Sequence, residues 1–306
     1  MFILKAIRKA ILFSLAAALL CTGSGAARAE ETEEKQEMGG NTKIETVAAD
    51  DFTMDYFRFG HGEKTLVILP GLSVDSITKY AAAVALAYNR FMKDFTVYVF
   101  DRRKELPPVY TIHDIARDTA AAIRTLGLDN ICLFGASQGG MIAMSIAIEQ
   151  PDLVSRLILG STSSRVTDEQ YRVIDGWARL AKAGNAEDLY LAFGEAVYPQ
   201  QVFEHSREML SESAKGVTEE DLRRFVILAE GIRGFNVTDQ LGKIACPVLV
   251  LGSNDDQVLG GEASREIAEQ LKDRPECELH MYDGFGHAVY DLAPDYKNRM
   301  MDFFLK

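Results

Sequence analysis

The chain has 306 residues, of which 47% are hydrophobic and 25% are charged, and its formal net charge is −12. This excess of acidic groups argues against nucleic acids and anionic membrane surfaces as partners, because both would repel the chain. The length suits one large globular domain that follows a short leader.

The first 29 residues have the organisation of a secretory signal peptide. Three basic residues within the first nine precede an apolar core over 10–20, and the small-residue cleavage pattern Ala27-Arg28-Ala29 follows. The core is short for a bilayer span, which needs about 20 apolar residues, although an uncleaved anchor is an alternative. The polar stretch 30–42 is expected to be a flexible lead-in. We therefore predict an exported protein with no stable membrane span after cleavage, whose folded domain covers 43–306.

From residue 43 onward, strand-like and helix-like segments alternate. The first two strands form an antiparallel pair, and the later succession predicts an α/β fold with a mostly parallel, eight-stranded sheet covered by helices on both faces. The predicted strands are Lys43–Ala48, Phe52–Phe59, Thr65–Leu69, Thr96–Phe100, Ile131–Phe134, Leu153–Leu159, Pro247–Leu251 and Glu276–Tyr282. The predicted helices are Asp75–Phe91, Thr111–Leu126, Gln138–Glu149, Glu262–Leu271 and Pro294–Leu305.

A candidate nucleophile lies in the segment Gly135-Ala136-Ser137-Gln138-Gly139-Gly140. A Gly-x-Ser-x-Gly motif alone is weak evidence, but here a strand precedes it and a helix follows it. Such a context predicts a sharp strand-to-helix turn that points the hydroxyl of Ser137 outward. The flanking glycines suit this turn because neighbouring backbone would collide with a Cβ atom.

The alternation of strand and helix stops between Ser164 and Ile244. Helical, charged sequence fills this stretch and forms an insertion between two strands of the sheet. Its aromatic residues could line a substrate pocket, although each is more simply explained as core of the insertion. These residues are Trp177, Tyr190, Phe193, Tyr198 and Phe203.

A serine nucleophile needs a histidine to accept its proton and a carboxylate to orient that histidine. The strand Pro247–Leu251 leads to two adjacent candidates, Asp255 and Asp256. The last predicted strand leads to His287, in a loop beyond a carboxyl end of the sheet, where parallel α/β sheets gather their active groups. The sequence therefore predicts His287 as the base and leaves the acid open between the two aspartates.

The ordered serine, acid and histidine resemble the α/β-hydrolase fold family over nearly all of the chain after the leader. The resemblance favours Asp256 as the acid, since the family pattern has one variable and then two apolar residues after it. It also implies an oxyanion hole, a pair of N–H groups that bind the negative oxygen, formed by Gln138 at the start of its helix and by Leu72 in the loop Pro70–Ser73. By the same resemblance, the insertion at about 164–244 would be a helical cap over the active site.

The remaining histidines and the cysteines have simpler interpretations. Cys132 is expected in the core, whereas Cys246 and Cys277 each begin a strand, and a disulfide between them is left open. No spacing of histidine and cysteine predicts a metal site, and no Gly-x-Gly-x-x-Gly follows the first parallel strand, so no cofactor is predicted. The histidines expected to have surface or packing roles are His61, His113, His205 and His280.

These features predict an exported serine hydrolase whose default substrate is a small or medium carboxylic ester. One alternative is an aminopeptidase or amidase acting on short peptides, which would need an acidic group in the cap to hold the substrate amine. Glu195, Glu204 and Glu230 are the candidates for that group. Another alternative is a catalytically silent binding protein for small molecules, which the intact order of serine, acid and histidine disfavours.

Overall fold

A computed structural model describes residues 42–274 and 276–306. The predicted signal peptide and nearly all of the predicted lead-in lie outside the described residues, so both stay predictions. Within the described ranges, none of the helices is long and apolar enough to cross a membrane.

The strands of the described residues form a single eight-stranded sheet. They are β1 Ile44–Ala49, β2 Phe52–Gly60, β3 Lys64–Leu69, β4 Phe95–Arg103, β5 Ile131–Ala136, β6 Val154–Gly160, β7 Val248–Ser253 and β8 Cys277–Tyr282. The order across the sheet is β1-β2-β4-β3-β5-β6-β7-β8. β2 runs antiparallel to both of its neighbours, and β4, β3 and β5 to β8 pair in parallel. The predicted mostly parallel sheet is confirmed.

Helices cover both faces of this sheet. They are α1 Ala81–Ala87, α2 Ile112–Thr125, α3 Gln138–Glu149, α4 Asp168–Lys182, α5 Ala186–Val197, α6 Gln200–Ala214, α7 Glu219–Glu230, α8 Gly261–Gln270, α9 Val289–Leu292 and α10 Tyr296–Leu305. Buried side chains of α1 and α10 share one core, and those of α2, α3 and α8 share the core of the other face. The residues of β5 alternate between the cores: Leu133 packs into the second, and Cys132 and Phe134 into the first.

The predicted helix Asp75–Phe91 is wrong as a single element. The structure has a 3₁₀ turn at Ile77–Tyr80, then α1, and a second 3₁₀ turn at Asn89–Phe91. The Oγ atom of Ser76 accepts a hydrogen bond from the backbone N–H of Thr78, and such local bonds compete with helix formation. The Asp75 carboxylate, in turn, accepts a hydrogen bond from the hydroxyl of Tyr190, far along the chain.

Helices α4 to α7 lie between β6 and β7, in the stretch 164–244, which we call the helical insert. Three contacts attach it near the carboxyl ends of the parallel strands. The Tyr190 hydroxyl lies 2.8 Å from Asp75, and the Arg224 guanidinium lies 2.6 Å from the Asp101 carboxylate at the end of β4. The carbonyl of Val197 accepts a hydrogen bond of 3.1 Å from the N–H of Ala288, beyond β8. The insert is therefore fixed at the edge of the sheet where Ser137 also lies.

One carboxylate on the α10 side of the sheet is buried beside a small cavity, without a hydrogen-bond partner among the described residues. Asp291 in α9 is 8% exposed, and neither of its carboxylate oxygens accepts a hydrogen bond from the described residues. Burial raises the pKa of its carboxyl to about 7, against the opposing effect of the Lys297 ammonium. The ionised form of Asp291 therefore destabilises the folded state.

We expect Gly139→Ala to lower the free energy of unfolding by about 3 kcal/mol or more. An added Cβ would lie 2.0 Å from the carbonyl oxygen of Leu69, and backbone cannot move aside as a side chain can. Gly176→Ala in α4 is the matched control, because nothing lies within 4 Å of its Cβ position. Alanine there should add about 0.5–1 kcal/mol of helix stability. Urea unfolding measures both variants, and equal stabilities would contradict the close approach.

We expect Asp291→Asn to raise the free energy of unfolding at pH 8 by about 2 kcal/mol. Folding raises the pKa of this carboxyl from 3.8 to about 7. The loss of stability caused by the buried, ionised carboxylate is therefore complete above pH 7 and fades as the pH falls toward 3.8. Three pKa units correspond to roughly 4 kcal/mol, which already includes the attraction to Lys297. Burial of the asparagine amide without a hydrogen-bond partner offsets part of this gain. Urea unfolding at pH 8 and pH 5 should show a larger gap between variant and wild type at pH 8. A gap that does not change with pH would refute this account.

Candidate active site

Ser137 lies on a strained turn between β5 and α3. Its φ is +52° and its ψ is −120°, a conformation that is costly for a residue with a side chain. The N–H of Ser137 donates to the carbonyl of Gly160 at 2.8 Å, and its own carbonyl accepts from the Thr162 hydroxyl at 2.7 Å. The surrounding backbone therefore holds the turn in place, and the side chain of Ser137 stays partly exposed.

His287 follows β8 in a loop shaped by two glycines with positive φ. Gly284 has a φ of +79° and Gly286 a φ of +64°. An added Cβ on Gly286 would lie 2.9 Å from the carbonyl oxygen of Val197 in the helical insert. This close packing leaves only 3% of His287 exposed and fixes the direction of its ring.

The structure brings Ser137, His287 and Asp256 into one hydrogen-bonded line. The Ser137 Oγ atom lies 2.9 Å from Nε2 of His287, and Nδ1 of His287 lies 2.8 Å from Oδ2 of Asp256. The other carboxylate oxygen of Asp256 accepts the N–H groups of Val258 and Leu259 at 2.8 and 2.9 Å. Each polar atom along this line thus has a partner, and the carboxylate is held in one orientation.

Charge and hydrogen bonding keep Asp256 ionised. Burial alone would raise the pKa of this carboxyl, but the nearby His287 and the two backbone N–H donors lower it below its ordinary value. An ionised Asp256 accepts a hydrogen bond from the N–H at Nδ1 of His287, so the lone pair on Nε2 faces the serine hydroxyl. This tautomer allows His287 to remove a proton from Ser137.

Asp255, the other predicted acid, has a different position. It is exposed, and its carboxylate accepts a hydrogen bond from the N–H of Gly284. The structure therefore brings Asp256, and not its neighbour, to His287, and Asp255 instead ties the loop after β7 to the loop that carries His287.

The two residues predicted to form the oxyanion hole lie on either side of Ser137. Leu72 is in the loop after β3, and this loop passes so close that a Cβ on Gly71 would lie 3.2 Å from Cβ of Ser137. Gln138 is the first residue of α3, where backbone N–H groups have no acceptor within the helix. The positive end of the helix dipole adds to the attraction for a negatively charged oxygen.

The sequence patterns assign no role to Arg102, which contacts both sides of this region. Its Nη2 atom lies 2.8 Å from the carbonyl oxygen of Pro70 and 3.1 Å from Oε1 of Gln138. The strand pattern ends at Phe100, but β4 continues to Arg103 through pairing of Arg103 with Met54 of β2. One sequence feature could have pointed to Arg102: two adjacent arginines follow the carboxyl end of a predicted strand in the middle of the sheet.

Most of the aromatic residues of the helical insert form its core. Tyr198 and Phe203, although buried, also border an open groove beside Gly286. Phe193 lines a cavity of about 70 Å³ together with Gly71, Leu72 and Tyr290. This cavity lies against the loop after β3 and is walled largely by apolar side chains. The buried aromatic residues are Trp177, Tyr190, Tyr198 and Phe203.

The acidic candidates of the insert lie on its surface. Glu195 and Glu204 line an open groove of about 590 Å³ with Asp255 and Gly286. Glu230 is paired with Lys182 at 2.5 Å. The groove borders the loop that carries His287. Glu195 and Glu204 therefore lie near that loop, whereas Glu230 forms its ion pair within the insert.

The other predicted histidines lie apart from the line of Ser137, His287 and Asp256. His61, His113 and His205 are exposed, and His280 packs against Tyr282 with ring centres 4.5 Å apart.

The cysteines of the described residues are free thiols, so Cys246 and Cys277 do not form the disulfide that the sequence left open. The described residues also contain no cluster of three or more side chains suited to hold a metal ion.

Comparisons with known proteins agree with this fold. A sequence model of the family described as serine aminopeptidase, S33, matches residues 61–291. A protein of Agrobacterium fabrum named "Putative carbamate hydrolase RutD" is 29% identical over 224 residues, which cover 69% of this chain and 83% of that protein. The protein of Mus musculus named serine hydrolase BPHL is 23% identical over 270 residues, 85% of each chain.

Solved structures show the same architecture. The crystal structure of MGS-M2, an α/β-hydrolase enzyme from a Medee basin deep-sea metagenome library, has a TM-score of 0.76 to this chain at 21% identity. The match covers 86% of this chain and 98% of MGS-M2. Since the family model also spans most of the sequence, the chain is a hydrolase that belongs to the serine aminopeptidase S33 family of the α/β-hydrolase fold.

Proposed function

We propose that this chain is an exported serine hydrolase that cleaves a small or medium carboxylic ester through an acyl-enzyme intermediate. The observation that carries the proposal is the hydrogen-bonded line from Ser137 through His287 to Asp256. A binding protein without catalytic activity would gain nothing from a strained serine turn whose hydroxyl faces an oriented imidazole. The proposal of export rests on the charge and hydropathy pattern of residues 1–29.

In the first half of the reaction, Nε2 of His287 removes the proton of Ser137 as Oγ attacks the ester carbonyl carbon. The carbonyl oxygen becomes negative, and the N–H groups of Leu72 and Gln138 bind it. The ester C–O bond then breaks as His287 returns the proton to the leaving alkoxide. Asp256 stays ionised throughout and stabilises the positively charged imidazole.

In the second half, a water molecule replaces the alcohol. Its proton passes to Nε2 of His287 while its oxygen attacks the acyl carbon, and the same two N–H groups bind the second negative oxygen. The bond between the acyl carbon and Oγ then breaks, the proton returns to Ser137 and the carboxylic acid leaves. The free enzyme is restored without any other reactant.

We further propose that the helical insert covers this site as a cap. Its attachment to the loop after β3 and to the residue after His287 supports this role. The small apolar cavity beside Leu72 suits a short acyl or alcohol group rather than a long chain.

Cleavage of a carbon–nitrogen bond is the second candidate. It is favoured by the description of the family as serine aminopeptidases and by the relative named as a carbamate hydrolase. The groove lined by Glu195 and Glu204 offers negative charge for a substrate amine. The ester remains the first choice because the same groups cleave esters more readily than amides, whose nitrogen cannot leave until it has been protonated.

We expect a fluorophosphonate probe to label the protein on Ser137 and to label Ser137→Ala by less than about a thousandth as much. Ser145→Ala is the matched control, because this buried serine of α3 donates to the carbonyl of Met141 within its own helix. Labelling would be measured on cells that express the full chain and on their exported fraction. A labelled product that begins at Glu30 supports export with cleavage. Labelled protein that keeps residues 1–29 contradicts cleavage, and labelled protein confined to the cytoplasm contradicts export; neither result bears on the hydrolase mechanism.

The same preparations distinguish the candidate functions. Faster turnover of short p-nitrophenyl esters than of aminoacyl amides is expected, and Ser137→Ala should abolish both activities. A strong preference for the amides would overturn the ester assignment. Folded wild-type protein that neither reacts with the probe nor hydrolyses any of these substrates would overturn the hydrolase mechanism.

We expect Asp256→Asn to lower kcat by about 10⁴, because the amide would hold His287 in the wrong tautomer. Asp255→Asn is the matched control, one residue away, and should keep kcat within about tenfold, since this side chain contacts Gly284 and not the imidazole. Steady-state kinetics on one ester, with folding checked by circular dichroism, measures both variants. A larger loss for Asp255→Asn would move the acid to that residue.

A further inference from the structure

We propose that Arg102 is a positioning residue that holds the two sides of the oxyanion hole at a fixed separation. The inference rests on the proposed function, since it assigns a role in the same site. Arg102 does not touch the reacting atoms. It acts on the loop that carries Leu72 and on the first residue of α3.

The contacts of Arg102 connect those two segments directly. One nitrogen, Nη2, donates to the carbonyl of Pro70 at 2.8 Å and to Oε1 of Gln138 at 3.1 Å. Pro70 precedes Leu72 by two residues, and Gln138 supplies the other N–H of the predicted oxyanion hole. A single guanidinium thus links the backbone on one side of the hole to the side chain on the other.

The location of this guanidinium makes the link stiff. Arg102 is 4% exposed, and Gln138 is 1% exposed, so water does not compete for these hydrogen bonds. Burial lowers the pKa of Arg102 to about 10, against the opposing effect of Asp101, and the side chain therefore remains charged at neutral pH. Charged donors make stronger hydrogen bonds than neutral ones.

The arrangement also has a cost in stability. The Nε atom of Arg102 is buried and donates to no group of the described residues. A buried N–H without a partner costs about 1–3 kcal/mol. An apolar side chain of the same length would avoid this cost, although it would leave the Pro70 carbonyl and Oε1 of Gln138 without their donor. The two effects on stability oppose each other, so the gain from Arg102 is expected mainly in the geometry of the site.

Helix α7 of the helical insert contacts both ends of the link between Arg102 and Gln138. The side-chain amide of Gln138 donates to the carbonyl of Leu228 in α7 at 2.9 Å. The carboxylate of Asp101 accepts the N–H of Arg102 at 2.8 Å and the guanidinium of Arg224, also in α7, at 2.6 Å. Helix α7, β4, the loop after β3 and the start of α3 are therefore joined through one buried polar network.

Catalysis is sensitive to this geometry. Donors must lie about 2.7–3.1 Å from the negative oxygen, and loss of one donor costs about 10²–10³ in kcat. Loosening of the loop that carries Leu72 would weaken one donor without removing it. Because the ground-state carbonyl needs these donors less than the tetrahedral intermediate does, kcat should fall while KM changes little.

The test compares Arg102→Met, Arg102→Lys and Arg103→Met with the wild type on a p-nitrophenyl ester. Arg102→Met keeps the length and burial of the chain, and we expect kcat to fall about 10- to 100-fold with KM within about twofold. Arg102→Lys should recover part of the loss, since an ammonium can still donate to the carbonyl of Pro70. Arg103→Met is the control and should keep the kcat of the wild type. The adjacent Arg103 pairs with Asp118 of α2 at 3.3 Å and not with Pro70 or Gln138.

A trifluoromethyl ketone provides a second readout. It forms an adduct with the serine whose negative oxygen occupies the oxyanion hole, so its inhibition constant should rise in proportion to the fall in kcat. The inhibition constant of an ether analogue of the ester, which has no carbonyl oxygen to place in the hole, should stay within about twofold. A merely structural role would instead lower the fraction of folded enzyme and leave the inhibition constants of the folded fraction unchanged.

The outcomes separate this inference from the proposed function. An inactive wild type would refute the proposed function, and an active wild type with normal kcat in Arg102→Met would refute the role of Arg102. If Arg102→Met does not fold, Arg102→Lys and Gln138→Met carry the test, since the latter removes the acceptor and keeps the backbone N–H. Each should then lower kcat several-fold at constant KM, and wild-type kinetics in both would overturn the inference.

Discussion

The site depends on how closely backbone segments approach one another at the end of β5. A Cβ on Gly135 would lie 2.2 Å from the carbonyl oxygen of Gly139, and one on Gly139 would lie 2.0 Å from that of Leu69. These approaches force the turn that holds Ser137 at positive φ. They also bring the loop after β3 against the serine. A single steric requirement therefore sets the position of Ser137 and of the loop that carries Leu72.

The other groups reach this turn from loops that are fastened to one another. Two adjacent aspartates have separate roles, since Asp256 orients His287 and Asp255 binds the N–H of Gly284 in the loop before it. Arg102 similarly fastens the loop after β3 to Gln138. The geometry of the site thus comes from hydrogen bonds between loops as much as from the sheet beneath them. This explains why buried charged groups concentrate at the carboxyl edge of the parallel strands.

The sequence predicts the sheet and the positions of Ser137 and His287 well, because both depend on local patterns of strand and turn. It does not separate Asp255 from Asp256 by local pattern, since neighbouring loop residues point in different directions that only the folded loop determines. The role of Arg102 depends on β4 and β5 lying on either side of β3, which is a non-local feature. The interruption of the predicted helix Asp75–Phe91 is only partly non-local: Asp75 binds Tyr190 in the helical insert, whereas the hydrogen bond from the N–H of Thr78 to Ser76 is local.

The hydrogen bond between Val197 and Ala288 has a consequence for the way in which ligands enter. It joins the end of α5 to the residue after His287, and the pair of Arg224 and Asp101 fastens α7 at another point. A hinged swing of the whole insert would break both attachments and disturb the imidazole at the same time. We therefore expect molecules to pass between the helices through motions of side chains, so that the width of that passage, rather than a lid, selects them by size.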